Sequence, residues 1–297
     1  MLLYRIRFEL RSSIVTPLKG DTIWGHIVWG IANHEGDAAV VSFLEHAKTD
    51  PPALVVSSAF PESLICRPLP LPKDRKDSPS KDDYSKIKTD KKIKYVPASN
   101  YFTNTETIDK AEENPLVNIE VMHNTIDRFS NTVLETGLYS IDEKWSKVSK
   151  WDVYILSTLP LERIKTLVEW AFENGFGADA STGKGKITNI GNPVEVETKI
   201  NSNNYMALGP FVDPKNGISE LRANIFVRSG KIGGAFASGL SPYKKPVVLY
   251  DEGAVFKYDK IIGYTGRLLE NMHDTKEFNI CQSGFAPVIP VDLSKEL

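Results

Sequence analysis

The order of hydrophobic periodicities in the N-terminal part constrains the fold more than any single motif. Leu2, Tyr4, Ile6, Phe8 and Leu10 alternate with Arg5, Arg7 and Glu9, the period-two pattern of a strand with one buried face. After "TPLKG", Ile23, Trp24, Ile27, Val28 and Ile31 fall on one side of a helix for which Asp21 is the candidate N-cap. Gly25 and Gly30 each cost such a helix about 1 kcal/mol, so a close neighbour is expected to need their bareness. "ALVVSSAFP" reads as a β-branched strand ended by Pro61, and "WDVYILST" as another. Leu161, Ile164, Leu167, Val168, Ala171 and Phe172 recur at helical spacing between Pro160 and Asn174-Gly175, and "KGKITNI" reads as a strand. Strand, helix, strand, strand, helix, strand is the split β-α-β order of a ferredoxin-like, RRM-like α+β domain.

One interval departs from that order. Residues 61–150 form a large insertion where a hairpin would suffice. Its first part, "RPLPLPKDRKDSPSKDDYSKIKTDKKIK", is charged and proline-rich with few apolar anchors, which predicts a middle over 73–94 that is mobile or is ordered only by a partner. "NIEVMHNTIDRFSNTVLETGLYSIDEKW" then regains alternation and predicts a hairpin bearing His123, Arg128, Thr132 and Tyr139. Past residue 197 the chain turns to short apolar runs and glycine, which predicts a second, mostly β domain over 198–297. A degenerate copy of the first fold is one reading of it, although no sequence repeat supports this.

Lysine and arginine number 36 against 38 acids, so no global positive field holds nucleic acid indiscriminately and any polyanion site must be local. Cys66 and Cys281 form neither a disulfide framework nor a zinc pattern, and the five histidines show no metal spacing. No metal and no cofactor are expected. The alternating N-terminus is not a signal peptide and no apolar run reaches membrane-spanning length, so the expected location is the cytoplasm.

"FGADASTGKGKI", residues 176–187, has the composition of a phosphate loop. A nucleotide-binding P-loop, however, places four residues between its first glycine and Gly-Lys, follows the lysine with Ser or Thr, and leads from strand to helix. Here five residues separate Gly177 from Gly183, Gly185 follows Lys184, and the loop leads from helix to strand. An ATP or GTP site is therefore not the reading. Simple connections of this kind run two to six residues, so a longer, glycine-rich one leaves room for backbone to approach another anion.

Taken in order, the first strand with "DTIWG", "SSAFP…LPLPK", "VMHNTIDRFSNTVLETGLY", "FGADASTGKGKI" and a glycine-aromatic C-terminus resemble the RAMP superfamily of CRISPR-associated RNA-binding proteins. Within it the chain is most similar to the subunit of type III-A (Csm) effector complexes that caps the 5′ handle of the guide RNA. The resemblance implies two ferredoxin-like domains, a β-hairpin thumb within residues 61–150, an RNA-contacting loop at 177–186, and no catalytic role. It also implies three partners: the crRNA handle, the large polymerase-like subunit and the backbone RAMP subunits.

Single-stranded handles are held through phosphate, 2′-hydroxyl and stacking contacts. On this reading the amides of Gly177, Gly183 and Gly185, the hydroxyls of Ser181 and Thr182, and the charges of Lys184 and Lys186 are candidate RNA contacts. Arg128 and His123 are candidates from the hairpin, although an arginine in a strand can instead pair with Asp127 or Glu120. "RSGKIGGAFASG" offers Arg228 and Lys231 beside Phe236, and "GYTGR" offers Tyr264 and Arg267. Two rivals stand beside this reading. One is a metal-independent processing endoribonuclease using His26 or His34 in the first helix; the other is a scaffold with no RNA contact.

Overall fold

The computed structural model describes residues 1–69, 81–103, 105–106, 112–215, 217–233, 241–260, 262–275 and 278–293 of the chain. In chain order, β1 (Leu2–Leu10) leads through α1 (Gly20–Glu35) and α2 (Asp37–Ala47) to β2 (Leu54–Pro61) and the short β3 (Leu64–Cys66). Helix α3 (Lys81–Lys92) runs into β4 (Ile93–Pro97), followed by β5 (Glu112–Glu113). The long pair β6 (Leu116–Ile126) and β7 (Val133–Ser146) precedes β8 (Lys150–Ser157), α4 (Leu161–Phe172), β9 (Ile187–Thr188) and β10 (Val194–Glu195). The remainder is β11 (Asn204–Ala207), β12 (Ser219–Arg222), β13 (Ile225–Arg228), β14 (Val247–Tyr250), β15 (Val255–Lys257), β16 (Tyr264–Leu269) and β17 (Gln282–Pro290). The class is mixed α+β, and the strand pairings are antiparallel.

The first sheet has the order β10-β1-β8-β2, with β9 also on β1. Tyr4, Ile6, Phe8 and Leu10 of β1 are buried against α1 and α4, in one core with Trp151, Val153, Ile164, Leu167, Val168 and Phe172. The alternation read in the sequence is thus the helix-facing side of this sheet. Only Leu2, at the strand's start, is exposed. The fourth strand is broken: Ile187–Thr188 and Val194–Glu195 pair with β1 at different places, separated by Asn189 at φ 51° and by Pro193. Helix α2 lies between the expected elements and packs Ala39, Val40, Phe43 and Leu44 on the first core.

The second sheet, β12-β15-β11-β17-β16, shares a core with the other face of the first. Phe60 and Tyr154 from the first sheet pack with Met206, Leu208, Val255 and Ile289 from the second. Within the insertion the expected hairpin forms as β6–β7, whereas the segment expected to be mobile contains α3 over Lys81–Lys92, and residues 70–80 lie outside the described residues. Among the described residues no helix is long and apolar enough to cross a membrane and no His/Cys/Asp/Glu cluster could hold a metal. Cys66 and Cys281 are free and buried.

The two glycines of α1 differ. A methyl on Gly30 would sit 2.7 Å from Trp170 Cβ on α4, so bareness there sets the approach of the two helices. A methyl on Gly25 meets nothing within 4 Å. Gly30→Ala is therefore expected to lower the thermal midpoint, and Gly25→Ala to raise stability by up to about 1 kcal/mol. Equal effects of the two substitutions would contradict this packing.

Asp21 is not the N-cap. Helix α1 starts after the extended Lys19 with no side-chain cap, and Asp21 is buried in its first turn, held by residues of the second half. Lys19 itself reaches Asp251 at 2.5 Å and Glu252 at 2.6 Å, and Ser58 Oγ donates to Glu252 at 3.0 Å. Burial raises the Glu252 carboxyl from 4.5 to about 7; Lys19 opposes this and Asp251 adds to it. Between these values the folded chain keeps a proton that the unfolded chain has released. Stability is thus expected to fall as pH rises through that window and to level off above about 7. Unfolding curves at several pH values check it: Glu252→Gln should flatten the slope, and an unchanged slope would assign it elsewhere.

Candidate nucleic-acid interface

The glycine-rich loop leaves α4 at Gly175, whose positive φ (83°) closes the helix and whose N–H donates to Phe172 O at 3.1 Å. Its backbone is largely engaged inward. Gly177 N–H donates to His26 Nε2 (3.1 Å), Ala178 N–H to Thr16 Oγ1 (2.9 Å) and Lys186 N–H to Ser12 Oγ (2.9 Å). Gly183 N–H donates to Ala180 O (3.0 Å) and Gly185 N–H to Ser13 O (2.7 Å). The amides of Gly177, Gly183 and Gly185, expected to be open to phosphate, each already have an acceptor: the loop folds onto α1 at Gly177, onto Ser13 at Gly185, and onto itself at Gly183. Two of these glycines are required sterically. A Cβ on Gly185 would lie 2.0 Å from Phe176 O, and one on Gly177 would lie 2.5 Å from Thr16 Cβ.

What the loop exposes is its crest. Ala180–Thr182 form a 3-10 turn entered through Asp179 and left through Gly183, both left-handed. Ser181 and Thr182 are exposed, although the Thr182 hydroxyl donates to Asp179 O at 2.9 Å. Lys186 projects from the far end, exposed, and no carboxylate among the described residues pairs with it. Lys184 is different. Its Nζ lies 2.5 Å from Glu143 Oε1 on β7, a carboxylate 1% exposed, so its charge is neutralised within the fold.

The hairpin carries the remaining N-terminal candidates. His123 and Tyr139 are cross-strand partners, their rings stacked at 5.5 Å. His123 Nε2 is buried without a hydrogen-bond partner and points toward Glu143 Oε1 at 3.7 Å. Arg128 is not in a strand. It occupies the tip, where Asp127 Oδ1 accepts from Phe129 N–H (2.8 Å) and Asp127 O from Asn131 N–H (2.9 Å). The Asp127 carboxylate is thus committed to the turn, and Arg128 is exposed with no ion-pair partner among the described residues. Phe129 beside it is fully exposed at 102%; an exposed aromatic next to arginine was a readable sequence signal that the alternation obscured.

The second-half candidates are mostly committed. Arg228 is bidentate with the buried Asp21, at 2.9 and 3.2 Å, and its guanidinium lies over Phe226. Lys231 Nζ lies over the Tyr243 ring at 5.4 Å, on a strand bridge between the same two residues. Tyr264 O–H donates to Asp50, and burial followed by that hydrogen bond raises its pKa. Arg267 Nε donates to Asp213 O at 3.3 Å. Phe236 lies outside the described residues. The loop and Gly233 nonetheless border one cleft: about 320 Å3 between α1 and α4, lined by Trp29, Asn33, Trp170, Gly175, Ala180 and Gly233, among others.

The two histidines of α1 have structural partners that spacing did not reveal. His26 accepts from the Gly177 N–H and packs on Phe176 at 4.8 Å. Burial lowers its pKa, against the opposite pull of its hydrogen bond to the Ala171 backbone. His34 Nε2 meets Glu173 Oε2 at 2.7 Å and stacks on Trp170 at 4.4 Å.

The sequence matches no family profile and no curated protein. Solved structures do match along the whole chain. One is a chain of a Csm1–Csm4 cassette in complex with cA4, with TM-score 0.61 and 16% identity over 99% of this chain and 100% of that one. Another is from the cassette in complex with pppApA, with TM-score 0.60 and 15% identity over 98% of each chain. A third is from a Csm3–Csm4 subcomplex of the type III-A CRISPR-Cas interference complex, with TM-score 0.52 and 13% identity over 97% of this chain and 99% of that one. Csm4 is the component common to these assemblies, and the chain has the fold of a Csm subunit of this kind.

Proposed function

We propose that the chain is a non-catalytic, RNA-binding structural subunit of a type III-A CRISPR ribonucleoprotein. In this role it anchors the 5′ handle of crRNA and docks the large polymerase-like subunit beside the backbone RAMP subunits. The observation that carries the reading is the end-to-end likeness in fold to chains from Csm1–Csm4 and Csm3–Csm4 assemblies. The β10-β1-β8-β2 order with α1 and α4 on one face supports a first ferredoxin-like domain over 1–197, and β6–β7 is its thumb. The second sheet, built wholly from residues after 203, supports a second domain over 198–297.

Contacts to RNA fall to the groups the fold leaves uncommitted: Ser181 and Lys186 on the loop, and Arg128 with Phe129 at the hairpin tip. Lys184, Arg228 and the glycine amides hold the frame that presents them. The contacts of His26 with Gly177 and of His34 with Glu173 and Trp170 support a structural role for both histidines over the nuclease reading. The purified chain is expected to retain RNA carrying a repeat-derived 5′ handle better than the same RNA with that segment scrambled, without cleaving it. Equal retention of both RNAs, or metal-independent scission, would overturn the proposal.

A further inference from the structure

Three chain segments cross at one buried carboxylate. Glu143 sits in β7 opposite Ile119, near the foot of the hairpin. It accepts from Ser13 Oγ at 2.6 Å, pairs with Lys184 Nζ at 2.5 Å, and faces His123 Nε2 at 3.7 Å. Burial works to raise its pKa, but Lys184 and Ser13 outweigh that and hold it below the ordinary value, so it stays ionised. Beside it the backbones of Ile14 and Lys144 exchange two hydrogen bonds, at 2.9 and 2.8 Å, and Ser13 O accepts from Gly185 N–H. Beyond Glu143 the hairpin pairs with neither of the two sheets among the described residues. Seven residue steps from Ile119 to Ile126, at about 3.3 Å each, make a lever of roughly 23 Å.

A single pair of backbone hydrogen bonds defines an axis about which such a lever turns. A tilt of about 10° there moves the tip by roughly 4 Å, enough to lose a hydrogen bond. Leu116 packs the foot on the first core and Trp151 Nε1 donates to Ser146 Oγ; the carboxylate, tied to the loop through Lys184 and to residue 13 through its hydroxyl, is the side-chain contact that opposes that turn from the loop's side. We propose that Glu143 is a positioning residue that fixes the hairpin against the glycine-rich loop, so that the two present their exposed groups as one rigid surface. That the surface meets RNA rests on the function proposed above; the rigidity does not.

The sign of one substitution separates positioning from simple charge. Glu143→Gln removes a negative charge and frees Lys184, which on electrostatics alone would tighten binding to a polyanion. Positioning requires the reverse, because a swinging hairpin must be ordered on binding. Spin labels at Phe129→Cys and Ser181→Cys, in a Cys66→Ala/Cys281→Ala background of the full chain, report the distance directly. A narrow distribution is expected with Glu143 and a broadening of about 5 Å with either Glu143→Gln or Lys184→Met, while cooperative unfolding shows that each variant is folded. Handle-RNA affinity is expected to fall about tenfold in Glu143→Gln. Unchanged distance distributions in both variants would overturn the proposal. Broadening with unchanged RNA affinity would uphold it and count against the RNA reading of these surfaces.

Discussion

Asp21→Ala is expected to destabilise the folded chain by about 3–5 kcal/mol, the cost of leaving one member of a buried ion pair without its counter-charge. Asp21 is 3% exposed and receives Arg228 at 2.9 and 3.2 Å and Gln282 Nε2 at 3.2 Å. Lys244 lies close by, its Nζ donating to Cys281 O and Gln282 Oε1, and burial lowers its pKa against the pull of Asp21. Removing the carboxylate leaves Arg228 and Lys244, both of the second half, without the α1 charge that attracts each of them. Arg228→Ala should cost less, because Gln282 and Lys244 remain near the carboxylate. An Asp21→Leu/Arg228→Met pair should recover most of the loss, since well-packed apolar groups replace buried ion pairs at little cost. Denaturant unfolding measures all three. If Arg228→Ala leaves stability unchanged and weakens RNA binding alone, the structural role given to Arg228 is wrong.

Lys186→Ala combined with Arg128→Ala is expected to carry the largest loss of RNA affinity. Each lost charge-assisted contact is worth about 1–2 kcal/mol, a factor of about 5–30. Each neutralised phosphate contact also lowers the slope of log affinity against log salt by about 0.7 for a single strand. The double variant should therefore flatten the slope by about 1.4 units. Lys184→Ala should not, because Glu143 already neutralises Lys184; its effect belongs to the geometry of the hairpin. A titration of handle RNA at several salt concentrations distinguishes these. Equal slopes in the parent and the double variant would remove both residues from the interface.

The parts of the fold that were legible are those where one hydrophobic period runs unbroken. β1, β2, β8, α1 and α4 each bury a continuous stripe, and stripes are what periodicity reports. Helix α2 carries such a stripe too, in Val40, Phe43, Leu44 and Ala47, but it follows α1 after a single glycine and without a side-chain cap, so no start signal set it apart. Helix α3 is polar all round, and its existence rests on propensity, to which burial patterning is blind. The fourth strand was read only over "KGKITNI", and its second part, Val194–Glu195, lies beyond that segment. Its break at Asn189 is a backbone conformation, not a composition.

In the candidate site the sequence displayed residue types and not the partners they find. Glycine at 177 and 185 did mark close approach, but of protein backbone and side chain in place of phosphate. The charges divided in the same way. Lys184 and Lys186 are alike in sequence, and only the fold brings Glu143 to the first and leaves the second open. Arg228 lies 207 residues from Asp21, a separation at which no spacing rule operates. His26 and His34, catalytic candidates by type, are taken by Gly177 and Glu173 through contacts that spacing does not encode.

The most direct test of the central claim is to isolate the chain from the cells that make it and sequence the RNA that accompanies it. The account expects short RNAs that differ in their interiors and share one repeat-derived 5′ end. RNA with unrelated 5′ ends, or none above background, would contradict it.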